Sequence, residues 1–338
     1  MVIVSSPKFE QHVTPPGHPE RPERAHTFDA VASRWAASGG TVLPPRPATL
    51  DELATVHDVS YLEQIVGLAA RPAMLDTDTF VSPDSNEVAR LAAGAAIQAA
   101  EHAVATREPA FALVRPPGHH AERDRAMGFC LYNNIAIAAA AMTGRGLRRV
   151  AIVDIDVHHG NGTQAMFYSR PDVLYISTHQ HPFYPGTGDA PEVGSGAGRG
   201  FTVNVPMAAG ATDADYDMVH SAIVLPILDE FKPELTLISA GYDAHERDPL
   251  ASMRMTTEGY GRTVHGLRRV GARHGTVALV TEGGYELTAL AACLEATFKA
   301  MTTDPHPPID HQSSVAGSRG ERAVQAAHDA QRPYWRGI

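Results

Sequence analysis

The feature that most constrains the fold is the regular alternation of short apolar stretches with longer helical stretches. The apolar stretches lack the polar alternation of a half-exposed strand, so each is predicted to be a strand buried on both faces. Their alternation with helices predicts a parallel sheet covered on both sides, although an eight-stranded barrel fits the strand count equally well. The predicted strands are residues 2–5, 41–43, 110–114, 150–155, 173–177, 201–205, 235–239 and 277–281, and the predicted helices include 85–106, 133–143, 214–230 and 257–274.

Side chains that can bind a metal follow two of these strands directly. Asp156 and His158 come at the end of residues 150–155 and are two positions apart, so in an extended chain they point the same way. Asp243 follows residues 235–239. Each acid taken alone is equally well explained by capping a helix or ordering a loop. Together the three side chains predict a catalytic zinc site, which takes three protein ligands and keeps one position open.

Two further polar clusters also follow strands. His119 and His120 come soon after residues 110–114, and Tyr285 follows residues 277–281 behind two glycines. Amide hydrolysis at neutral pH needs an activated water, a Lewis acid on the carbonyl and a proton for the leaving amine. His120 is predicted to be the general base, and Tyr285 the donor to the carbonyl oxygen as charge develops there. The alternative for Tyr285 is a packed aromatic ring on a glycine turn.

Six motifs occur in an order that is shared by a known family. They are HPERPER at 18–24, RPPGHHA at 115–121, GFCLYNN at 128–134, DIDVHHGNGTQ at 154–164, SAGYDA at 239–244 and EGGY at 282–285. Over about residues 15–300 the chain resembles the zinc-dependent histone deacetylase family, in the bacterial class II-like branch that includes acetylpolyamine amidohydrolases. The resemblance implies an α/β fold with the open, mainly parallel eight-stranded sheet of arginases and deacetylases rather than a barrel. The site is then expected at the carboxyl ends of the strands.

The neighbours of the two histidines have expected roles as well. His119 is predicted to be the electrostatic partner of the base, and the buried carboxylate of Asp154 to orient its imidazole. The resemblance places Asn161 beside His120, as in the class II-like branch. A carboxylate there would raise the pKa of His120, whereas a neutral amide only fixes its tautomer, so the base is expected to stay neutral to lower pH.

The resemblance also implies a substrate tunnel. Phe129 and Tyr184 are expected to sandwich the aliphatic part of acetyl-lysine, and Leu250 to stand at the tunnel mouth, although each aromatic ring alone would equally well anchor its own loop. Gly128 and Gly284 are expected beside the substrate, where the lack of a side chain lets the backbone come close. A structural monovalent cation, K⁺ or Na⁺, is implied at Asp154, Asp156, His158, Ser177 and Thr178, mostly through backbone oxygens.

Two other functions fit parts of this pattern. An arginase-like dimanganese ureohydrolase shares the fold, but it carries extra acids where this chain has Gly160 and Gly241. A catalytically silent acetyl-lysine reader would not need His119, His120 and Tyr285 together. The pattern therefore favours a one-metal deacetylase. It leaves open whether the substrate is acetyl-lysine in a protein or peptide, an acetylpolyamine or another amide, and whether Zn²⁺ or Fe²⁺ is bound.

Composition indicates the number of domains, the cellular compartment and the kinds of partner to expect. The 338 residues are enough for one domain, predicted over 1–338 with a surface-draped tail from about 303 to 338. With 28 Lys and Arg against 38 Asp and Glu, the net charge is −10, which argues against nucleic-acid binding. Two cysteines, Cys130 and Cys293, and the absence of a long apolar start predict a cytoplasmic protein without a signal peptide or membrane span. The oligomeric state is left open.

Other histidines are expected to lie outside the site. His159 follows His158 on the opposite face of an extended segment, so it is predicted to pack or to support the site rather than to bind the metal. His179 and His181 are close to proline and glycine residues, and both are predicted to be solvated loop or rim residues.

Overall fold

One large β-sheet organises the computed structural model, which describes residues 1–68, 72–303 and 317–338. Its strands are β1 (Val2–Val4), β2 (Thr41–Leu43), β5 (Ala110–Ala112), β6 (Val150–Asp154), β7 (Val173–Gln180), β8 (Thr202–Met207), β9 (Leu235–Ala240) and β10 (Thr276–Thr281), and β3 (Ala73–Met74) and β4 (Phe80–Val81) form a separate antiparallel pair. The large sheet has the order β2-β1-β5-β10-β9-β6-β7-β8, with parallel pairing throughout. The predicted open parallel sheet is therefore confirmed.

Helices cover both faces of this sheet. They are α1 (Glu23–Ala37), α2 (Leu50–Leu53), α3 (Val59–Leu68), α4 (Ser85–Thr106), α5 (Asn134–Gly144), α6 (Asn161–Phe167), α7 (Asp213–Val219), α8 (Leu225–Phe231), α9 (Thr257–His274), α10 (Leu287–Thr302) and α11 (Arg319–Gln331). Successive residues of a strand point to opposite faces, so Ile152 of β6 packs in one core with α4 and α5, and Val153 packs in the other with α9 and α10. Within the described ranges, no helix is long and apolar enough to cross a membrane.

Two elements differ from their predicted form. The helix predicted over 214–230 is divided into α7 and α8 by one π-helical turn, His220–Val224. Strand β7 continues beyond its predicted end to Gln180 because its last residues pair with β8, including His179 with Pro206. His179 therefore lies in a strand and not in a solvated loop.

The C-terminal segment is packed into the structure. Helix α11 lies against β8, the last strand of the sheet. Gln331 donates from Nε2 to the carbonyl oxygen of Thr202 at 2.8 Å, and Trp335 is only 9% exposed. This packing covers a sheet edge that would otherwise be open to another strand. It differs from the surface-draped tail expected over 303–338, whose proline-rich part at 304–316 lies outside the described residues.

The order of the strands brings the polar clusters together. Strands β5, β10, β9 and β6 are successive neighbours, and their carboxyl ends point to the same edge of the sheet. His119, Tyr285, Asp243 and Asp156 follow these four strands in that order. Crevices at this edge are where open parallel sheets bind their ligands.

Candidate active site

Asp156, His158 and Asp243 converge beyond the ends of β6 and β9. Nδ1 of His158 lies 3.2 Å from Oδ1 of Asp156 and 3.1 Å from Oδ2 of Asp243. One possible ligand atom from each residue lies within 4.8 Å of the other two. The backbone helps to hold the carboxylates, since Val157 N–H donates to Asp243 at 2.9 Å and Gly283 N–H donates to Asp156 at 2.8 Å. The structure thus brings the three predicted ligands to one point.

This donor set fits a divalent metal ion. Burial and the repulsion from Asp156 raise the pKa of Asp243 to about 7. Burial lowers the pKa of His158, but its hydrogen bonds to both carboxylates more than offset this and raise the pKa to about 10. The cluster therefore favours positive charge between two buried carboxylates, which is what a metal ion supplies. Imidazole nitrogen and carboxylate oxygen are ligands that suit a borderline cation such as zinc.

Two glycines leave no room for the ligands of a second metal. A Cβ atom on Gly241 would overlap the carboxylate of Asp156, and one on Gly160 would overlap the carboxylate of Asp154. Within the part of the chain that the structure describes, the three-residue cluster above is the one group of side chains placed to hold a metal. This geometry favours a one-metal site over the dimanganese alternative.

His119 and His120 lie side by side but differ in their affinity for a proton. Their ring centroids are 4.1 Å apart, with Nδ1 of His119 at 3.0 Å from Asp154 and Nδ1 of His120 at 2.8 Å from Oδ1 of Asn161. Burial lowers the pKa of His119, but the charge of Asp154 outweighs it and raises the pKa to about 10. Burial and the adjacent positive charge of His119 hold the pKa of His120 well below its usual value. His120 is therefore a neutral imidazole at neutral pH.

A buried glutamate, Glu282, holds the turn that carries these histidines, a role that was not predicted from the sequence. Glu282 is fully buried at the end of β10. Its Oε2 accepts the N–H groups of Gly118 at 2.7 Å and His119 at 3.1 Å, and its Oε1 accepts the Ser239 hydroxyl at 2.7 Å. Burial raises the pKa of Glu282 to about 7. An acid placed directly after a buried strand was the sequence signal for this residue.

Tyr285 is constrained from several sides. Asp248 accepts its backbone N–H at 2.7 Å, and the ring of Phe129 lies nearly perpendicular to its own, with the centroids 5.7 Å apart. The guanidinium carbon of Arg24 is 5.1 Å from the centroid of the tyrosine ring. The preceding residue, Gly284, has φ of 115°, a conformation that other residues rarely adopt. Burial raises the pKa of the phenol well above its usual value, so Tyr285 remains a hydrogen-bond donor.

The motif at residues 18–24 supports the loop that carries Tyr285. Arg24 donates from Nε to the carbonyl oxygen of Gly284 at 2.8 Å and from Nη2 to that of Glu282. Glu20 pairs with Arg24 at 3.1 Å and with Arg115 at 2.7 Å, and all three side chains are fully buried. The supporting role of these residues had no signal in the sequence beyond the motif itself.

A cavity of about 260 Å³ opens beside these groups. Phe129 enters it from a tight turn in which Gly128 and Phe129 both have positive φ, 56° and 69°, and the flanking residues exchange two backbone hydrogen bonds. On another side, the ring of Tyr184 lies 5.2 Å from that of His120. The cavity is lined by Asp78, His120, Gly128, Phe129, His158, Phe183, Tyr184, Leu250 and Tyr285.

The two glycines expected beside the substrate differ in position. Gly128 lines the cavity, and a Cβ atom there would overlap the ring of His120. Gly284 is not among the described residues that line it, because its missing side chain would point at Tyr242 and Leu290. Gly284 therefore shapes the loop of Tyr285 rather than the cavity wall.

Comparison with known proteins identifies the family to which this site belongs. Residues 18–301, most of the chain, match the family model described as the histone deacetylase domain. The chain belongs to the histone deacetylase family. As a member of the histone deacetylase family, it is a hydrolytic deacetylase.

Individual members of the histone deacetylase family are similar over most of the chain. A probable deacetylase of Archaeoglobus fulgidus is 40% identical over 292 residues, covering 84% of this chain and 81% of its own length. The polyamine deacetylase HDAC10 of Homo sapiens is 40% identical over 337 residues, covering 94% of this chain and 50% of the human protein. The crystal structure of the HDA15 HD domain has a TM-score of 0.91 at 36% identity, over 99% of this chain and 94% of that one.

The other histidines of this member of the histone deacetylase family lie outside the cluster of Asp156, His158 and Asp243. His159 interacts with Thr187 at 2.7 Å and with Gln164 at 3.0 Å. His179 is fully buried and lies 2.9 Å from the carbonyl oxygen of Gly188, so its prediction as a solvated residue is wrong. His179 is buried because strand β7 continues through it and pairs with β8. His181 is partly exposed and lies 3.3 Å from an aspartate oxygen.

Proposed function

We propose that this protein is a zinc-dependent amidohydrolase that removes acetyl groups from acetyl-lysine side chains. The observation that carries the proposal is that His120, His158 and Tyr285 line one cavity between the aromatic rings of Phe129 and Tyr184. The aromatic walls suit the aliphatic part of an acyl-lysine, and the polar groups suit the amide that it carries.

Asp156, His158 and Asp243 would hold the zinc ion, which supplies a Lewis acid for the acetyl carbonyl and lowers the pKa of water when it is bound. His120 accepts the proton of the attacking water and returns a proton to the leaving amine. Because its Nδ1 faces the amide oxygen of Asn161, Nε2 is the nitrogen that takes this proton. The low pKa of His120 keeps it in the basic form needed for the first step.

His119 and Tyr285 stabilise the charge that develops. His119 carries a positive charge balanced by Asp154, and it adjoins the ring of His120. The phenol of Tyr285 donates a hydrogen bond to the carbonyl oxygen, which gains negative charge as water attacks. Both roles depend on a buried setting, because electrostatic interactions are stronger there than in water.

A structural monovalent cation, K⁺ or Na⁺, is also part of the proposal. In support, Asp154 at the end of β6 is paired in register with Ser177 of β7. The hydroxyl of Thr178 is buried and has no hydrogen-bond partner among the described residues. Oxygens of Asp154, Ser177 and Thr178, with backbone groups of Asp156 and His158, form the suggested ligand set.

The proposed substrate is acetyl-lysine in a peptide or protein. Leu250 presents an uncharged side chain to the cavity, which gives no Coulombic preference for a second ammonium group. Asp78 also lines the cavity, and its carboxylate favours the second candidate, an acetylpolyamine. The human relative is named a polyamine deacetylase, so this alternative has a precedent in the family.

Kinetics on three substrate classes test the function. We expect turnover of acetyl-lysine peptides with a catalytic efficiency at least equal to that on acetylspermidine, and longer acyl-lysines should be assayed beside them. A tenfold or greater preference in kcat/KM for acetylspermidine, which corresponds to roughly 1.4 kcal/mol, would instead show that the substrate is an acetylpolyamine. No turnover of any acyl amide by the metal-loaded protein would favour a silent acetyl-lysine reader.

We further propose that the chain is one deacetylase domain and acts in the cytoplasm. In support of the first point, two hydrophobic cores lie on opposite faces of the same sheet. In support of the second, both cysteines of the sequence, Cys130 and Cys293, are buried free thiols. Free thiols are usual where the environment is reducing.

A further inference from the structure

The orientation of the Asn161 amide decides which nitrogen of His120 carries the proton. Oδ1 of Asn161 faces Nδ1 of His120 at 2.8 Å, so Nδ1 donates and Nε2 keeps its lone pair. If the amide were turned end for end, its NH₂ group would face Nδ1, and the proton of His120 would have to sit on Nε2. The two ends of an asparagine amide have nearly the same shape, so His120 alone does not settle the choice.

The orientation of the Asn161 amide is decided by a carboxylate on the side that faces away from His120. Nδ2 of Asn161 donates to Oε1 of Glu122 at 2.7 Å. Its other neighbours on that side are also acceptors, the sulfur of Met127 at 3.3 Å and the carbonyl oxygen of His120 at 3.5 Å. An ionised carboxylate has no proton to donate, so a turned amide would set two oxygens against each other. A hydrogen bond to a charged group is roughly twice as strong as a neutral one, which favours the observed orientation.

Glu122 is itself fixed in place. Its backbone N–H donates to the carbonyl oxygen of Arg125 at 2.9 Å, and its own carbonyl oxygen lies 2.9 Å from Nδ1 of His57. Nη2 of Arg125 lies 2.9 Å from Oε2, which leaves Oε1 for Asn161. The side chain is 27% exposed and does not line the cavity described above. Glu122 is thus placed to act on Asn161 without touching the substrate.

We propose that Glu122 is a positioning residue that holds His120, through Asn161, in the tautomer with Nε2 free to accept a proton. The inference rests on the proposed function, because that function gives His120 the role of general base. Hydrogen bonds of the Asn161 amide connect the Glu122 carboxylate to the His120 ring. The carboxylate of Glu122 therefore keeps the neutral amide of Asn161 in the orientation that His120 needs.

Kinetics of single variants form the first test. Glu122→Ala should lower kcat on an acetyl-lysine peptide by roughly 10- to 100-fold, the usual cost of losing a group that orients a site residue. KM should change little, because Glu122 does not line the cavity. Glu122→Gln replaces one carboxylate oxygen by an NH₂ group, which can pair with the turned Asn161 amide, so this variant should also lower kcat. Glu295→Ala is the matched control, since it removes a glutamate from a surface ion pair with Arg34 at 2.8 Å and should leave kcat unchanged.

The dependence on Asn161 is the second test. In an Asn161→Asp background both ends of the side chain are acceptors, so there is no orientation left to hold. Glu122→Ala should then cause no further loss of kcat, and relief of the repulsion between two carboxylates should even raise it. An equal loss in both backgrounds, or a wild-type rate for Glu122→Ala or Glu122→Gln, would overturn the proposal.

The tautomer of His120 can be measured without turnover. Nitrogen-15 NMR of the histidine ring, assigned by difference from His120→Ala, should show the proton on Nδ1 in the wild type. In Glu122→Ala the Nε2–H form should appear, and its absence would refute the role of Glu122. If the wild type shows the Nδ1–H form but hydrolyses no acyl amide, the proposed function fails while the positioning of His120 stands.

Discussion

One carboxylate oxygen of Asp248 accepts the backbone N–H of Tyr285 at 2.7 Å. The other oxygen accepts the backbone N–H of Leu250 at 3.0 Å. A single side chain, only 7% exposed, therefore connects the proposed oxyanion donor to a residue of the cavity wall. A change at Asp248 must disturb both positions together.

We expect Asp248→Ala to lower turnover by roughly 10- to 100-fold, because Tyr285 loses the acceptor that positions its backbone. The bound metal should remain at the wild-type amount, which metal analysis would check. In a Tyr285→Phe background the same substitution should cost much less, since two changes that act through one group are not additive. Equal losses in the two backgrounds would show that Asp248 acts by another route.

Tyr285→Phe should keep the fold and the metal but lower kcat by a factor of roughly 100 to 1,000, the usual cost of one oxyanion donor. His120→Ala should be impaired at least as much, because both proton transfers depend on this residue. Circular dichroism and metal analysis on the same samples separate a chemical defect from a structural one. A near wild-type rate on an acetyl amide in either variant would remove that residue from the mechanism.

Removal of the metal should abolish activity, and added zinc should restore it. Metal analysis should find about one catalytic divalent ion per chain, as expected for three ligands with one open position. Zinc should also raise the melting temperature of the metal-free protein, since binding to the folded state stabilises it. Asp243→Ala should lose both effects, and full activity in metal-free protein would contradict the assignment of the site.

A buried cluster near the start of the chain predicts the dependence of stability on pH. Burial lowers the pKa of His12 from 6.5 to about 4. Burial raises the pKa of Glu20, but Arg115 and the other cations around it outweigh this and lower it from 4.5 to about 2. Both values are lower in the folded state than in the unfolded state. The contribution of His12 to the free energy of unfolding is therefore fully present above pH 6.5 and is lost as the pH falls to 4. The contribution of Glu20 is fully present above pH 4.5 and is lost as the pH falls to 2.

Urea unfolding at several pH values would measure this effect. The shift at His12 corresponds to about 3 kcal/mol of unfolding free energy between pH 7 and pH 4. His12→Asn keeps a polar partner for the Ser85 hydroxyl, which lies 2.6 Å from the histidine ring, and removes the titrating group. This variant should lose less stability than the wild type over that interval. The same pH dependence in both proteins would show that His12 is not responsible.

The charge at the cavity wall should set the choice between peptide and polyamine. Leu250→Glu places a carboxylate where the wild type has an apolar side chain, so the ratio of kcat/KM for acetylspermidine to that for an acetyl-lysine peptide should rise by roughly tenfold or more. Leu250→Gln is the matched control, because it has the same shape without the charge. Rising salt should weaken the effect in the glutamate variant. Equal ratios for Leu250→Glu and Leu250→Gln would mean that this position does not face the distant ammonium group.

The eight strands of the large sheet, their parallel arrangement and the chemical groups at their ends could be predicted from the sequence. A strand buried on both faces carries an uninterrupted apolar run, and this signal is local. Parallel strands have their carboxyl ends at one edge of the sheet, so the acids and histidines that follow them were expected to meet. Asp156, His158 and Asp243 could therefore be grouped from spacing alone.

The polar groups that support this site from distant parts of the chain could not be predicted before the fold was known. A charged residue in a loop has no periodicity that reveals its partner, so the contacts of Glu122 with Asn161 and of Asp248 with Tyr285 left no local signal. The burial of His179 depends on the pairing of β7 with β8, and the position of α11 depends on which strand ends the sheet. In each case the free energy comes from long-range burial and hydrogen bonding, which local sequence patterns do not record.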